Sequence, residues 1–138
     1  MSEIEARLRD SFGRQTMMQT LGAAMDSAAE GAVTISAPIA PHVLQQQGAA
    51  HAGLAFSIGD SAAGYAALSV LPAGAEVVTV EMKINLLAPA VGDRLVAEGR
   101  VLRPGRRIVV VASDVFAEGP KGRKHVATML GTMVPVEG

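Results

Sequence analysis

The chain has 138 residues, 49% of them apolar, with 12 basic and 13 acidic side chains for a formal net charge of −1. This suits one compact domain with a sizeable core, and it argues against disorder and against nucleic acid or an anionic membrane surface as the main partner. There is no cysteine, which excludes disulfides, thiolate metal sites and cysteine nucleophiles.

The opening "MSEIEARLRD" is charged and lacks the apolar stretch of a signal peptide, so a soluble, cytoplasmic protein is expected. Residues 3–14 are predicted to form a helix. Ser2 and Glu5 have capping-box spacing, and Ile4, Leu8 and Phe12 recur every four residues. Two strands are predicted next, over 20–29 and 32–38, with Glu30-Gly31 as the turn and Pro38 and Pro41 ending the second. Residues 39–50 read as a loop.

The run from Ala52 to Leu71 carries one charge, Asp60. A central Asp costs roughly 2.5–3.5 kcal/mol on membrane-insertion scales, so a buried helix over 52–70 is predicted rather than a membrane span. Leu54, Ile58, Ala62 and Tyr65 repeat at helical spacing. Its many small residues, Gly53, Gly59 and Gly64 among them, suit close approach of a sheet or of a ligand. Pro72 and Gly74 end the helix.

The remainder alternates with period two. In "EVVTVEMKINLL", Val78, Val80, Met82, Ile84 and Leu86 fall on one face, and Thr79, Glu81, Lys83 and Asn85 on the other. Three more strands follow over 94–102, 107–117 and 124–136, joined by short turns that imply antiparallel neighbours. The order is helix, two strands, long helix, four strands. It predicts a single α+β domain over 1–138, with one long helix packed on an antiparallel sheet of about six strands and preceded by a short N-terminal helix.

A three-part pattern stands at fixed intervals in and before the long helix: Gln45, then His51-Ala52-Gly53, then Asp60. Together with "INLLAPAVGDRLVAEGRVLRPGRR", this order resembles the hotdog-fold acyl-CoA thioesterases of the phenylacetate-degradation (PaaI-like) branch. Their pattern is an amide residue, His-Gly-Gly six residues on, and Asp or Glu nine residues after the His. The chain departs from it at Ala52, where the family has Gly. It also has Gly64 where some relatives carry Ser or Thr four residues after the carboxylate.

The resemblance implies a hotdog fold, with a curved sheet wrapped round a central helix. It implies hydrolysis of acyl-CoA to a carboxylic acid and free coenzyme A, without a cofactor. It also implies a homodimer, assembled to a homotetramer, with two composite sites at the subunit interface. Nine residues of α-helix rise about 13 Å, so Asp60 cannot meet its own helix N-terminus. Asp60 is expected to be general base or nucleophile, and the sequence leaves that choice open. Ala52 and Gly53 would supply oxyanion N–H groups at the helix N-terminus, and Gly64 would border the substrate. Gln45 would donate to the same carbonyl or orient water, although Gln46 or Gln47 could take its place. His51 belongs to the catalytic set, with holding the loop before the helix as its favoured role. Arg103, Arg106 and Arg107 would contact coenzyme A phosphates, as could Lys121, Arg123 and Lys124; solvated hairpin turns are the plain alternative.

His42, His51 and His125 lack metal-ligand spacing, so no metal is expected. Two other functions fit the same fold: a non-catalytic acyl-CoA-binding module, and a hotdog dehydratase or hydratase, whose characteristic motif is not evident.

Overall fold

The computed structural model describes residues 1–137. Helix α1 spans Glu3–Phe12, with the Ser2 hydroxyl accepting from the Glu5 N–H at 3.0 Å as its N-cap. It ends two residues before the expected boundary. A short helix α2, Thr16–Thr20, follows. Strand β1 starts only at Ala24 and runs to Ala29, so residues 20–23 of the strand expected over 20–29 are instead the end of α2 and the turn after it. Met18, on α2, and Leu21, just after it, are buried there: tertiary burial of helical side chains decides a segment whose local pattern was ambiguous. Strand β2, Ala32–Pro38, returns through a turn at Gly31, whose φ of 80° favours glycine.

Helix α3 occupies Ala52–Ser69. Four long strands follow: β3 (Ala75–Leu86), β4 (Arg94–Arg103), β5 (Val109–Gly119) and β6 (Gly122–Glu137). The six strands form one antiparallel sheet in the order β1-β2-β4-β5-β6-β3. It wraps α3, which is the hotdog architecture expected. No helix among the described residues is long and apolar enough to cross a membrane.

Close approach of helix and sheet follows from glycine at the contact. A Cβ on Gly99 of β4 would lie 2.4 Å from the Ala62 carbonyl carbon of α3 and 2.5 Å from the Ala63 nitrogen. Both are backbone atoms and cannot turn aside. Ser113, fully buried on β5, donates to the Gly59 carbonyl at 2.7 Å and ties the helix to the sheet at the same level. Gly99→Ala is therefore expected to destabilise by roughly 1–3 kcal/mol, as overpacking does. That would lower Tm by roughly 5–10 °C, read by thermal unfolding.

Two features of β3 bear on the site. It pairs only with β6, so its other edge has no strand beside it among the described residues. A bulge between Thr79 and Glu81 also shifts the register, pairing Thr79 with Met133 and Glu81 with Thr132. This corrects the simple alternation. Val77 and Thr79 face the helix before the bulge, Met82 and Ile84 after it, while Val78 and Val80 are exposed.

Candidate functional site

Site residues converge at two places on α3. The first is its N-terminus. His51 is the N-cap, and its Nδ1 accepts from the Gly53 N–H at 2.8 Å. The ring is thereby held in place, and Gly53 loses its donor: of the two N–H groups expected to face an oxyanion, only that of Ala52 takes no hydrogen bond among the described residues. A Cβ at Gly53 would lie 3.0 Å from the His51 Nδ1, so the cap itself favours glycine there. Ala52 is the first helical residue, and among the described residues no non-glycine residue has positive φ. The family glycine at this place is thus dispensable for the backbone path.

Gln45 reaches the same place from the loop. It is half-buried, whereas Gln46 and Gln47 are exposed. Its Oε1 accepts from the backbone N–H groups of Gln47 and Ala49. With the carbonyl oxygen so occupied, the amide nitrogen is the end that donates: it reaches Gln47 Oε1 at 3.5 Å and keeps a second proton for another acceptor. Gln45, His51 and Ala52 line an open cavity of about 610 Å³, walled by apolar side chains such as Leu86, Leu87, Val91 and Val126.

The second place lies two turns further along. Asp60 is half-buried on a stripe of α3, through Gly53, Phe56 and Gly64, that the fold leaves uncovered. It lines a separate cavity of about 120 Å³ with Gly64, Ser11, Gln15, Glu76 and Thr79. The Thr79 hydroxyl donates to the Asp60 Oδ1 at 2.8 Å. Burial pushes the Asp60 carboxyl above the usual carboxylate range, with the Thr79 hydrogen bond opposing part of that rise. Gly64 thus groups with Asp60 rather than with the helix N-terminus. Its missing Cβ leaves room, since a Cβ there would find only the Met133 methyl at 3.7 Å.

Thr79 is the site residue the sequence hid, because strict alternation puts it on the outer face with Glu81 and Lys83. Nothing short of the bulge reveals it. The basic turns divide. Arg103, Arg106 and Arg107 sit at and just after the end of β4, at the end of the sheet near the α3 C-terminus. Lys121, Arg123 and Lys124 border a cavity that shares Pro89 and Val91 with the one at the α3 N-terminus. Arg123 is held there by Glu98, Glu118 and the face of Phe116. No group of three or more His, Asp or Glu among the described residues is arranged to hold a metal ion.

The thioesterase superfamily model matches residues 47–123, which include the α3 N-terminus and Asp60. The chain belongs to the thioesterase superfamily. A thioesterase family protein from Silicibacter pomeroyi is 38% identical, covers 98% of this chain and 99% of its own, and superposes with a TM-score of 0.95. The PaaI protein of the Escherichia coli phenylacetic acid degradation operon shares the fold at 24% identity, 98% and 94% coverage and a TM-score of 0.86. A Bacillus halodurans protein crystallised with CoA shares it at 21% identity, 97% and 89% coverage and a TM-score of 0.77. As a thioesterase-superfamily member, the chain has thioester hydrolysis as its reaction class.

Proposed function

We propose that the protein hydrolyses acyl-CoA thioesters to a carboxylic acid and free coenzyme A, at sites shared between two copies of the chain. One observation carries the reading. The donors at the α3 N-terminus and the Asp60 carboxylate open into different cavities of one chain, while the stripe bearing Asp60 adjoins the uncovered edge of β3. Antiparallel pairing of two β3 edges about a two-fold axis would bring Asp60 of one copy towards the α3 N-terminus of the other. The Arg103, Arg106 and Arg107 turn, at the α3 C-terminal end of the copy that supplies Asp60, is assigned to coenzyme A phosphates in this reading. The CoA bound by the Bacillus halodurans protein supports the choice of thiol.

In this site the Ala52 N–H, at the positive end of an 18-residue helix, polarises the thioester carbonyl, and the Gln45 amide donates to it. Asp60 removes a proton from water, which attacks the carbonyl carbon. The carbon–sulfur bond then breaks, and the thiolate of coenzyme A takes up the proton. The Thr79 hydroxyl holds one carboxylate oxygen, and the other accepts the proton of water in this reading. Incubation with aromatic and aliphatic acyl-CoA in the presence of a thiol-reactive dye is expected to show thiol release. No release with any acyl chain would overturn the reading, and binding of CoA without turnover would favour a binding module.

A further inference from the structure

We propose that Thr79 is the positioning residue of the Asp60 carboxylate: its hydroxyl, turned inward by the β3 bulge, holds Oδ1 and leaves Oδ2 to face the reacting water. The proposal rests on the reading of Asp60 as general base. Four observations support it. The bulge between Thr79 and Glu81 reverses the side-chain parity at the level of Asp60, so an otherwise outward threonine points at the helix. Bulges re-aim side chains in this way. The hydroxyl has one proton and two acceptors in reach, Asp60 Oδ1 at 2.8 Å and the thioether of fully buried Met133 at 3.2 Å. An ionised carboxylate is the stronger acceptor, so the bond forms when the base is charged.

The hydroxyl also has no substitute. Gly64, one turn on from Asp60, has no side-chain donor, and the Ser61 hydroxyl donates to Gln15 Oε1 at 3.2 Å. Among the described residues, Thr79 is the one side chain that donates to Asp60. The surrounding groups leave this bond as the main opposition to desolvation. The other titratable groups on the cavity are Tyr65 of α3 and Glu76 of β3, neither of them a cation. The α1 side contributes the neutral Ser11 and Gln15, and β6 the neutral Met133.

Thr79→Val keeps the shape and removes the donor, and Thr79→Ser keeps the donor. In Thr79→Val, the acid limb of the kcat/KM profile is expected to move to higher pH. The rate at neutral pH should fall roughly tenfold, the scale of one hydrogen bond to a charged group. Thr79→Ser is expected to restore both. An unmoved acid limb in Thr79→Val, or no recovery in Thr79→Ser, would overturn the proposal. Titration of the Asp60 carboxyl by ¹³C NMR decides the matter without turnover. A titration displaced upward in Thr79→Val and returned in Thr79→Ser upholds the contact even if no thioester proves to be a substrate, whereas coincident curves refute it.

Discussion

Asp60→Asn is expected to cut thioester turnover by ~10²–10⁴-fold, the usual contribution of a general base, while leaving the chain folded. Asparagine keeps an oxygen for the Thr79 hydroxyl and loses only the proton-accepting charge. The stability signature separates this from damage. Burial raises the folded-state pKa of Asp60 above its ordinary value of 3.8. Ionisation therefore costs the folded state more than the unfolded one. That penalty is absent below the ordinary value, grows as pH rises from there to the raised folded value, and is constant above it. At neutral pH Asp60→Asn should accordingly be at least as stable as the parent. The difference should close on acidification towards 3.8, as followed by denaturant unfolding across a pH series. A variant that is inactive and also less stable at neutral pH would point to a structural role for the carboxylate.

Mixing two inactive variants is expected to regenerate activity. Gln45→Glu keeps the oxygen that accepts from Gln47 and Ala49 and replaces the amide donor with a second oxygen. Combined with Asp60→Asn under conditions of subunit exchange, half the dimers are mixed and each has one undamaged site of two, so about a quarter of parental activity should return. Recovery would be decisive, because two defects in one self-contained site cannot complement. Absence of recovery after exchange has been verified by mass spectrometry would refute the cross-subunit arrangement.

Much of this was legible in the sequence. The period-two runs and their short turns located β4, β5 and β6, and the helix-period run with one carboxylate located α3, because neither signal depends on distant contacts. The family resemblance carried by Gln45, His51 and Asp60 singled out residues that the fold assigns to two cavities along one helix. Three things were not legible, each because it is decided by tertiary geometry. The segment read as strand from residue 20 begins instead as the last residue of α2 and a turn, since burial of Leu21 outweighs local pattern. The β3 bulge inverts the parity of half a strand and hides Thr79. The His51 cap consumes the Gly53 N–H, and a motif of three letters does not say which of its donors is already engaged.

The two edges of the sheet are unequal. Strand β1 is six residues long and bulged, and α1 reaches its backbone, where Arg9 donates to the Met25 carbonyl at 2.7 Å. Strand β3 is twelve residues long, with Val78 and Val80 exposed and no proline. A bare edge of that length is a template for indiscriminate strand addition, and only Glu76, Glu81 and Lys83 stand guard along it. An isolated chain is thus an aggregation hazard and, under the proposed two-copy site, an incomplete catalyst. Whatever covers β3 protects the protein's solubility, and substitutions that weaken that cover should surface first as loss of protein from solution rather than as a change in kinetics.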